Sequence, residues 1–159
     1  MFATARKYLT HPYLALLLRL YIGGLFIYAS MYKINYAAEF AETIASYQIV
    51  PYWLVNPMAV FLPWTELVGG LLLFSGFRAR SAAVLIGFLL LLFSVAVLVN
   101  LLRDAPISCG CFQTLGEKMT WKTLARDIIW LAMVIHVYCF DRLFHLEERF
   151  SLTLKEIQT

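Results

Sequence analysis

The chain has 159 residues, of which 62% are hydrophobic and 14% are charged, with a formal net charge of +3 and a mean hydropathy of +0.74. Soluble domains carry more charge and less apolar side chain, so the composition predicts an all-α integral membrane protein with a single membrane domain over residues 1–159. The lysines and arginines form no cluster interleaved with aromatic residues, which excludes nucleic acid as a partner.

Four apolar segments follow one another along the chain. We expect transmembrane helices at about 13–33, 57–77, 81–102 and 122–143. A basic tail precedes the first, as in a signal peptide, but no small-residue cleavage site follows it, so we expect this helix to be retained. The fourth segment has an uncharged run of only 13 residues, 128–140. It spans the bilayer only if the Arg–Asp and Asp–Arg pairs that flank this run lie within its ends.

The connection between the first two spans contains a short amphipathic segment. Phe40, Ile44 and Tyr47 recur at helical spacing, opposite Glu39 and Glu42. The pattern predicts a short helix in the membrane interface. The simpler alternative is an ordinary amphipathic connector.

The distribution of basic residues predicts the orientation in the membrane. The connection 34–56 contains no lysine or arginine, whereas the N-terminal tail, the turn after the second span and the C-terminal tail all do. We therefore expect a multi-pass protein of the bacterial inner membrane, with both termini in the cytoplasm and the connections 34–56 and 103–122 facing the periplasm. Three basic residues in the second connection run against this assignment: Arg103, Lys118 and Lys122.

Two glycine pairs mark expected helix contacts. Gly23–Gly24 lies in the first span and Gly69–Gly70 in the second, and small residues let membrane helices approach closely. Helix packing explains these pairs better than an internal repeat does. Arg19 precedes Gly23 by four residues and Glu66 precedes Gly70 by four, so both charges are expected to face the bundle interior.

Glu66 is predicted to form an ion pair inside the membrane. At a rise of about 1.5 Å per residue, Arg19 lies about 9 Å and Glu66 about 16 Å above the inner boundary, a gap that an arginine can bridge. Arg126 of the fourth span comes about as close, so either arginine is a candidate partner. A carboxylate at this depth indicates a function such as proton transfer; an ion pair that only fixes helix register is the alternative.

Two of the three cysteines, Cys109 and Cys111, flank Gly110 beyond the third span. Pro106 ends that helix, so we expect the pair on a periplasmic loop, where thiol exchange takes place. A disulfide between the two would close a small, strained ring, which favours a redox centre over a structural staple. A Cu(I) site and unreactive packing at a turn remain open. The sequence has no flavin, haem or nucleotide motif, and we assign no metal site.

These residues, in this order, resemble the MauE/DoxX family of redox-associated membrane proteins. The resemblance runs from about residue 19 to residue 135, and only the combination of motifs is specific. Its motifs are Arg19, Lys33, Tyr47–Gln48 with Pro51, Pro63–Trp64 with Glu66, Cys109–Gly110–Cys111–Phe112, and Arg126–Asp127. Gln113 stands where the family usually has glycine.

The resemblance implies a four-transmembrane-helix bundle that takes part in thiol–disulfide exchange or electron transfer. Within the family, MauE is associated with maturation of the disulfide-rich methylamine dehydrogenase beside a thioredoxin-like partner. DoxX-type proteins are associated with quinone-linked oxidation of sulfur compounds. We therefore expect Cys109 and Cys111 to exchange electrons with a periplasmic thioredoxin-like or sulfur-carrying protein and with a quinone bound between the helices.

The expected site combines catalytic and quinone-binding residues. The catalytic set is Cys109, Cys111, Glu66 and Arg126. The quinone-binding set is Trp64, Phe112, Trp121, Arg19 and Lys33. The alternative function is a non-catalytic subunit or assembly factor that docks a redox partner within a larger membrane complex. A small transporter has only the intramembrane charges in its favour.

Overall fold

The computed structural model describes residues 12–103 and 121–140, which form five α-helices. These are α1 (Pro12–Asn35), α2 (Ala37–Ser46), α3 (Tyr52–Ser75), α4 (Ala79–Leu102) and α5 (Trp121–Phe140). All but α2 are long and apolar enough to cross a membrane. The predicted fold, a four-helix membrane bundle with a short helix between the first two spans, is confirmed.

The four long helices pack in a ring of antiparallel neighbours. Helix α1 lies beside α3 and α5, and α4 lies beside the same two helices. Side chains from all four meet in the centre, where Ile22, Leu73, Ile86 and Val137 are almost fully buried. One end of the ring carries α2, the last turn of α4 and the first turn of α5. We call it the α2 end.

The bounds of α3 differ from the predicted span 57–77. The helix begins five residues earlier, at Tyr52, directly after Pro51, so that Pro57 lies within it. It ends at Ser75 because Gly76 adopts a left-handed conformation (φ 77°), and the Gly76 N–H donates to the carbonyls of Leu72 and Leu73. The fourth predicted span continues to residue 143, and its last three residues lie outside the described part of the chain.

Helices α1 and α3 cross at their glycines. A Cβ atom on Gly23 would lie 2.9 Å from the backbone nitrogen of Phe74, and one on Gly70 would lie 3.1 Å from the carbonyl oxygen of Gly23. Any larger residue would force the helices apart. The predicted role of these glycines in helix packing is confirmed, except that a Cβ on Gly24 would meet nothing within 4 Å.

The short helix α2 packs on the bundle. Phe40 and Ile44 are buried against Val55 and Ala59 of α3. Tyr47, which follows the helix, packs against Val97 of α4. The apolar face of α2 therefore contacts protein, as expected of an amphipathic connector.

Candidate functional site

Lys33 and Glu66 form an ion pair inside the bundle. The Lys33 Nζ donates to Oε1 and Oε2 of Glu66 at 2.8 and 2.7 Å, and the side chains are only 8% and 12% exposed. The glycine crossing sets this register. Lys33 lies ten residues, about 15 Å, beyond Gly23 on α1, and Glu66 lies eight residues, about 12 Å, before Phe74 on α3.

The prediction of Arg19 or Arg126 as the partner of Glu66 overlooked Lys33. The depth estimate set the ends of the first two spans level with each other. In the structure, Gly23 is eleven residues into α1, yet it lies opposite Phe74, one residue before the end of α3. This stagger brings Lys33 level with Glu66. Arg19 lies about 21 Å, or 14 residues, from Lys33 along α1, and so it is far from Glu66.

Arg126 and Asp127, in the second turn of α5, line a cavity of about 40 Å³ together with the ion pair. Asp127 is 1% exposed, and its Oδ1 accepts hydrogen bonds from Arg126 at 3.3 and 3.4 Å. Its Oδ2 is buried and has no hydrogen-bond partner among the described residues. The Arg126 guanidinium also lies over the ring of Trp130, 4.6 Å from its centroid. Two cations and two carboxylates thus share one cluster, in which three side chains are largely buried and that of Arg126 is 37% exposed.

A larger cavity of about 210 Å³ lies against the same ion pair, on the side of α2. Its lining is apolar apart from Lys33, Glu66, Thr43 and Tyr47. The lining includes Ile49 and Leu92, which are 45% and 50% exposed, so the cavity reaches the outer surface of the bundle. An apolar cavity with a few polar groups at one wall is the usual form of a small-molecule site.

Tyr47 lies at the α2 end, where α2, α4 and α5 meet. It is 7% exposed, its ring centroid lies 6.4 Å from that of Phe93, and the same cluster includes Leu124 of α5. Burial, and to a lesser degree the negative charge of Asp127, raises the pKa of the Tyr47 hydroxyl above its usual value. The hydroxyl therefore keeps its proton at neutral pH.

The comparison with known families fits this architecture. The family model described as methylamine utilisation protein MauE matches residues 11–140. The chain belongs to the MauE family. No solved structure matches it, and the DoxX part of the resemblance stays a prediction.

Three MauE relatives show how far the similarity extends. The chain is 31% identical to the methylamine utilization protein MauE of Methylorubrum extorquens over 75% of its own length and 65% of the relative. Against the Paracoccus denitrificans protein the identity is 28%, over 82% of this chain and 71% of the relative. Against the methylamine utilization protein MauE of Methylophilus methylotrophus the identity is 34%, over 63% of this chain and 53% of the relative. The chain thus spans between about half and seven tenths of these relatives.

In this MauE-family protein, two predicted quinone-binding tryptophans line neither cavity. Trp64 is 52% exposed on α3, and Trp121 is 63% exposed at the start of α5. Arg19 is buried but lies far along α1 from the ion pair. Of the predicted quinone-binding residues within the described part of the chain, Lys33 lines the cavities.

The predicted site residues Cys109, Cys111 and Phe112 lie outside the described residues, and their roles stay predictions. The segment that contains them connects Arg103 to Trp121, which both lie at the α2 end. Tyr47 and Asp127 lie toward that same end.

Asp127 and Tyr47 were missing from the predicted site. The sequence places Asp127 at the end of the fourth span, as the neighbour of Arg126, whereas in the structure it is almost fully buried. Tyr47 was assigned only to the apolar face of α2 and to a motif of the family resemblance. The sequence signals for these residues are the Tyr47–Gln48 motif for Tyr47 and the Arg126–Asp127 pair for Asp127.

Proposed function

We propose that this protein transfers electrons from a periplasmic thiol protein to membrane quinone through Cys109 and Cys111. The observation that carries the proposal is the larger cavity. It is apolar, it reaches the outer surface of the bundle at Leu92, and it has Lys33 and Glu66 in its wall. A ligand dissolved in the lipid phase could enter it there and meet a buried pair of polar groups.

The cavity fits a quinone ring in size and chemistry. An apolar protein cavity of about 150 Å³ takes up benzene, and this cavity measures about 210 Å³. Lys33 offers an ammonium donor to a ring carbonyl, and Glu66 offers a carboxylate that can hold a proton beside it. When bound, a quinone supplies an acceptor for two electrons and two protons.

The thiol chemistry balances without a further reactant. A dithiol on the partner reduces the disulfide between Cys109 and Cys111 by thiol–disulfide exchange, which leaves the partner with the disulfide. Reoxidation of this chain then breaks two S–H bonds and forms one S–S bond. The two electrons and two protons released are the number that one quinone takes up.

The MauE relatives favour a second candidate function. Their shared name, methylamine utilization protein, supports an accessory role in methylamine utilisation. The chain would hold a redox partner in a larger membrane complex while a methylamine-oxidising enzyme matures. The cysteines would then bind the partner and would not turn over with quinone.

The oxidation state of the cysteine pair in native membranes distinguishes these functions. A heavy maleimide labels reduced thiols before and after reduction, and after addition of a quinone, in a Cys139→Ala background. We expect an oxidised pair that is readily reduced and then reoxidised by quinone. A pair that stays reduced and does not respond to quinone would support the accessory role.

Two variants connect this reaction to the ion pair. Glu66→Gln and Lys33→Met should each slow reoxidation by quinone at least tenfold, because both alter the cavity wall. Ser94→Ala is the matched control, since Ser94 is buried in α4, donates to the Leu90 carbonyl at 2.8 Å and lines neither cavity. Equal rates in all four proteins would separate the ion pair from the redox reaction.

A further inference from the structure

We propose that the smaller cavity holds water and relays protons between Asp127 and Glu66. This inference deepens the proposed function and rests on it for its physiological role. The relay would carry protons between the α2 end of the bundle and the larger cavity, where Glu66 lies in the wall.

The size and the lining of the smaller cavity support a water site. A buried water needs about 10–15 Å³ of accessible volume and two to four polar partners, and this cavity measures about 40 Å³. Lys33, Glu66, Arg126 and Asp127 all line it. The buried Oδ2 of Asp127 has no hydrogen-bond partner among the described residues. Such an acceptor is costly to bury unless a water or a proton satisfies it.

The ionisable groups of the cavity come from three helices. Lys33 extends from α1, Glu66 from α3, and Arg126 and Asp127 from α5, whereas α4 contributes only Leu89, Leu90 and Phe93. Tyr47 faces Asp127 from the end of α2 and keeps its proton. Among the groups that line this cavity, the carboxylates of Asp127 and Glu66 are the proton acceptors, since ammonium and guanidinium groups only donate hydrogen bonds.

The direction of the relay follows from the positions of the two carboxyl groups. Asp127 lines only the smaller cavity, whereas Glu66 lines both cavities. A proton that reaches the larger cavity from Asp127 therefore passes through Glu66. In one transfer, Asp127 gives a proton to a cavity water, and a water proton passes to the Glu66 carboxylate. No electron moves, and the total charge of the cluster is unchanged.

A pH–rate measurement tests the relay in the full chain. The protein is reconstituted in phospholipid vesicles, and reoxidation of Cys109 and Cys111 by a short-chain benzoquinone is followed between pH 6 and about 9. We expect Asp127→Asn to slow reoxidation at least tenfold and to make the rate fall as the pH rises, because protons must then come directly from solution. Asp127→Glu should restore most of the rate, and Ser94→Ala should not change it. An Asp127→Asn protein with the wild-type rate and pH profile would overturn the relay.

A second measurement does not depend on activity or on a variant that folds. A crystal structure of the wild-type chain from a lipid mesophase, at a resolution that shows ordered water, should place water within hydrogen-bonding distance of Asp127 Oδ2. A dry cavity, or a side chain filling it, would overturn the relay.

Quinone binding, measured by quenching of tryptophan fluorescence, should be equal in wild type and Asp127→Asn. A wild-type chain that binds no quinone would overturn the proposed function, while the water structure would still decide the relay.

Discussion

Lys33 and Glu66 neutralise each other where a single charge would be costly. Both side chains are almost completely buried, and the ammonium donates to both carboxylate oxygens. The Lys33 ammonium also lies 5.1 Å from the centroid of the Phe40 ring, which extends its favourable contacts to α2. Removing one partner of such a buried pair leaves the other charge uncompensated.

Replacing one partner should therefore cost more than replacing both. We expect Glu66→Leu and Lys33→Met each to lower the free energy of unfolding by about 3–5 kcal/mol. The double variant should lose less than either single variant, because no uncompensated charge remains. Reversible unfolding in mixed detergent micelles measures these values, with the exposed Glu42→Leu as the control. Additive losses in the double variant would show that the two side chains act independently.

Tyr47 should make stability sensitive to alkaline pH. The pKa of its hydroxyl is raised by burial and by the charge of Asp127, so the unfolded chain releases this proton first as the pH rises. The free energy of unfolding should then fall above about pH 10, by up to about 1.4 kcal/mol per pH unit. Tyr47→Phe should remove this component from the Tm measured between pH 9 and about 12. Tyr52 is 84% exposed, so Tyr52→Phe should not change the fall of Tm with pH. An equal fall of Tm with pH in the two variants would contradict the assignment to Tyr47.

At the scale of helices, the crossing of α1 and α3 positions the site. Gly23 meets the backbone of Phe74, and Gly70 meets the carbonyl of Gly23. This close contact fixes how far α1 is shifted along α3, and the shift brings Lys33 level with Glu66. A change in helix packing at the glycines should therefore also alter the ion pair.

Gly23 and Gly24 provide a matched test of this contact. Gly23→Ala would place a methyl group against the Phe74 backbone and should destabilise the protein by about 1–3 kcal/mol. Gly24→Ala meets nothing within 4 Å and should be neutral or stabilising by up to about 1 kcal/mol, since alanine favours helix. Unfolding in mixed micelles measures both, and similar losses would argue against the crossing.

The sequence predicts helices more completely than it predicts their relative positions. Length and apolar composition are properties of one segment, so all four spans could be found. Glu66 stood out because a carboxylate is rare within a span. The partner, Lys33, depends on the stagger of α1 against α3, which is a property of packing between two segments. The burial of Asp127 could not be predicted for a similar reason, because it depends on how α5 packs against the neighbouring helices.

At the scale of the whole molecule, the connections between the helices differ in charge. Arg78, in the turn between α3 and α4, and Arg80, in the first turn of α4, are both exposed. The described connection between α1 and α3 has an exposed Glu42 and no basic residue, while Arg103 and Lys122 are exposed at the ends of α4 and α5 that face the same side. The positive-inside rule predicts that the α2 end faces the periplasm.

Labelling of single cysteines tests this orientation. In a chain whose three native cysteines are replaced, Glu42→Cys should react with a membrane-impermeant maleimide on intact spheroplasts. Arg80→Cys should react only after the membrane is permeabilised. The reverse pattern would place the α2 end, and with it Arg103 and Trp121, in the cytoplasm.

The ion pair also has a consequence for how the chain is made. Lys33 lies two residues from the end of α1, so during synthesis its ammonium can reach the headgroup region before α3 exists. Glu66 lies nine residues from the nearer end of α3, and its side chain is shorter than that of lysine, so it depends on a partner within the bundle. When α3 enters the bilayer, α1 already supplies that partner. Because α1 is synthesised before α3, the Lys33 ammonium is already in place when Glu66 enters the bilayer.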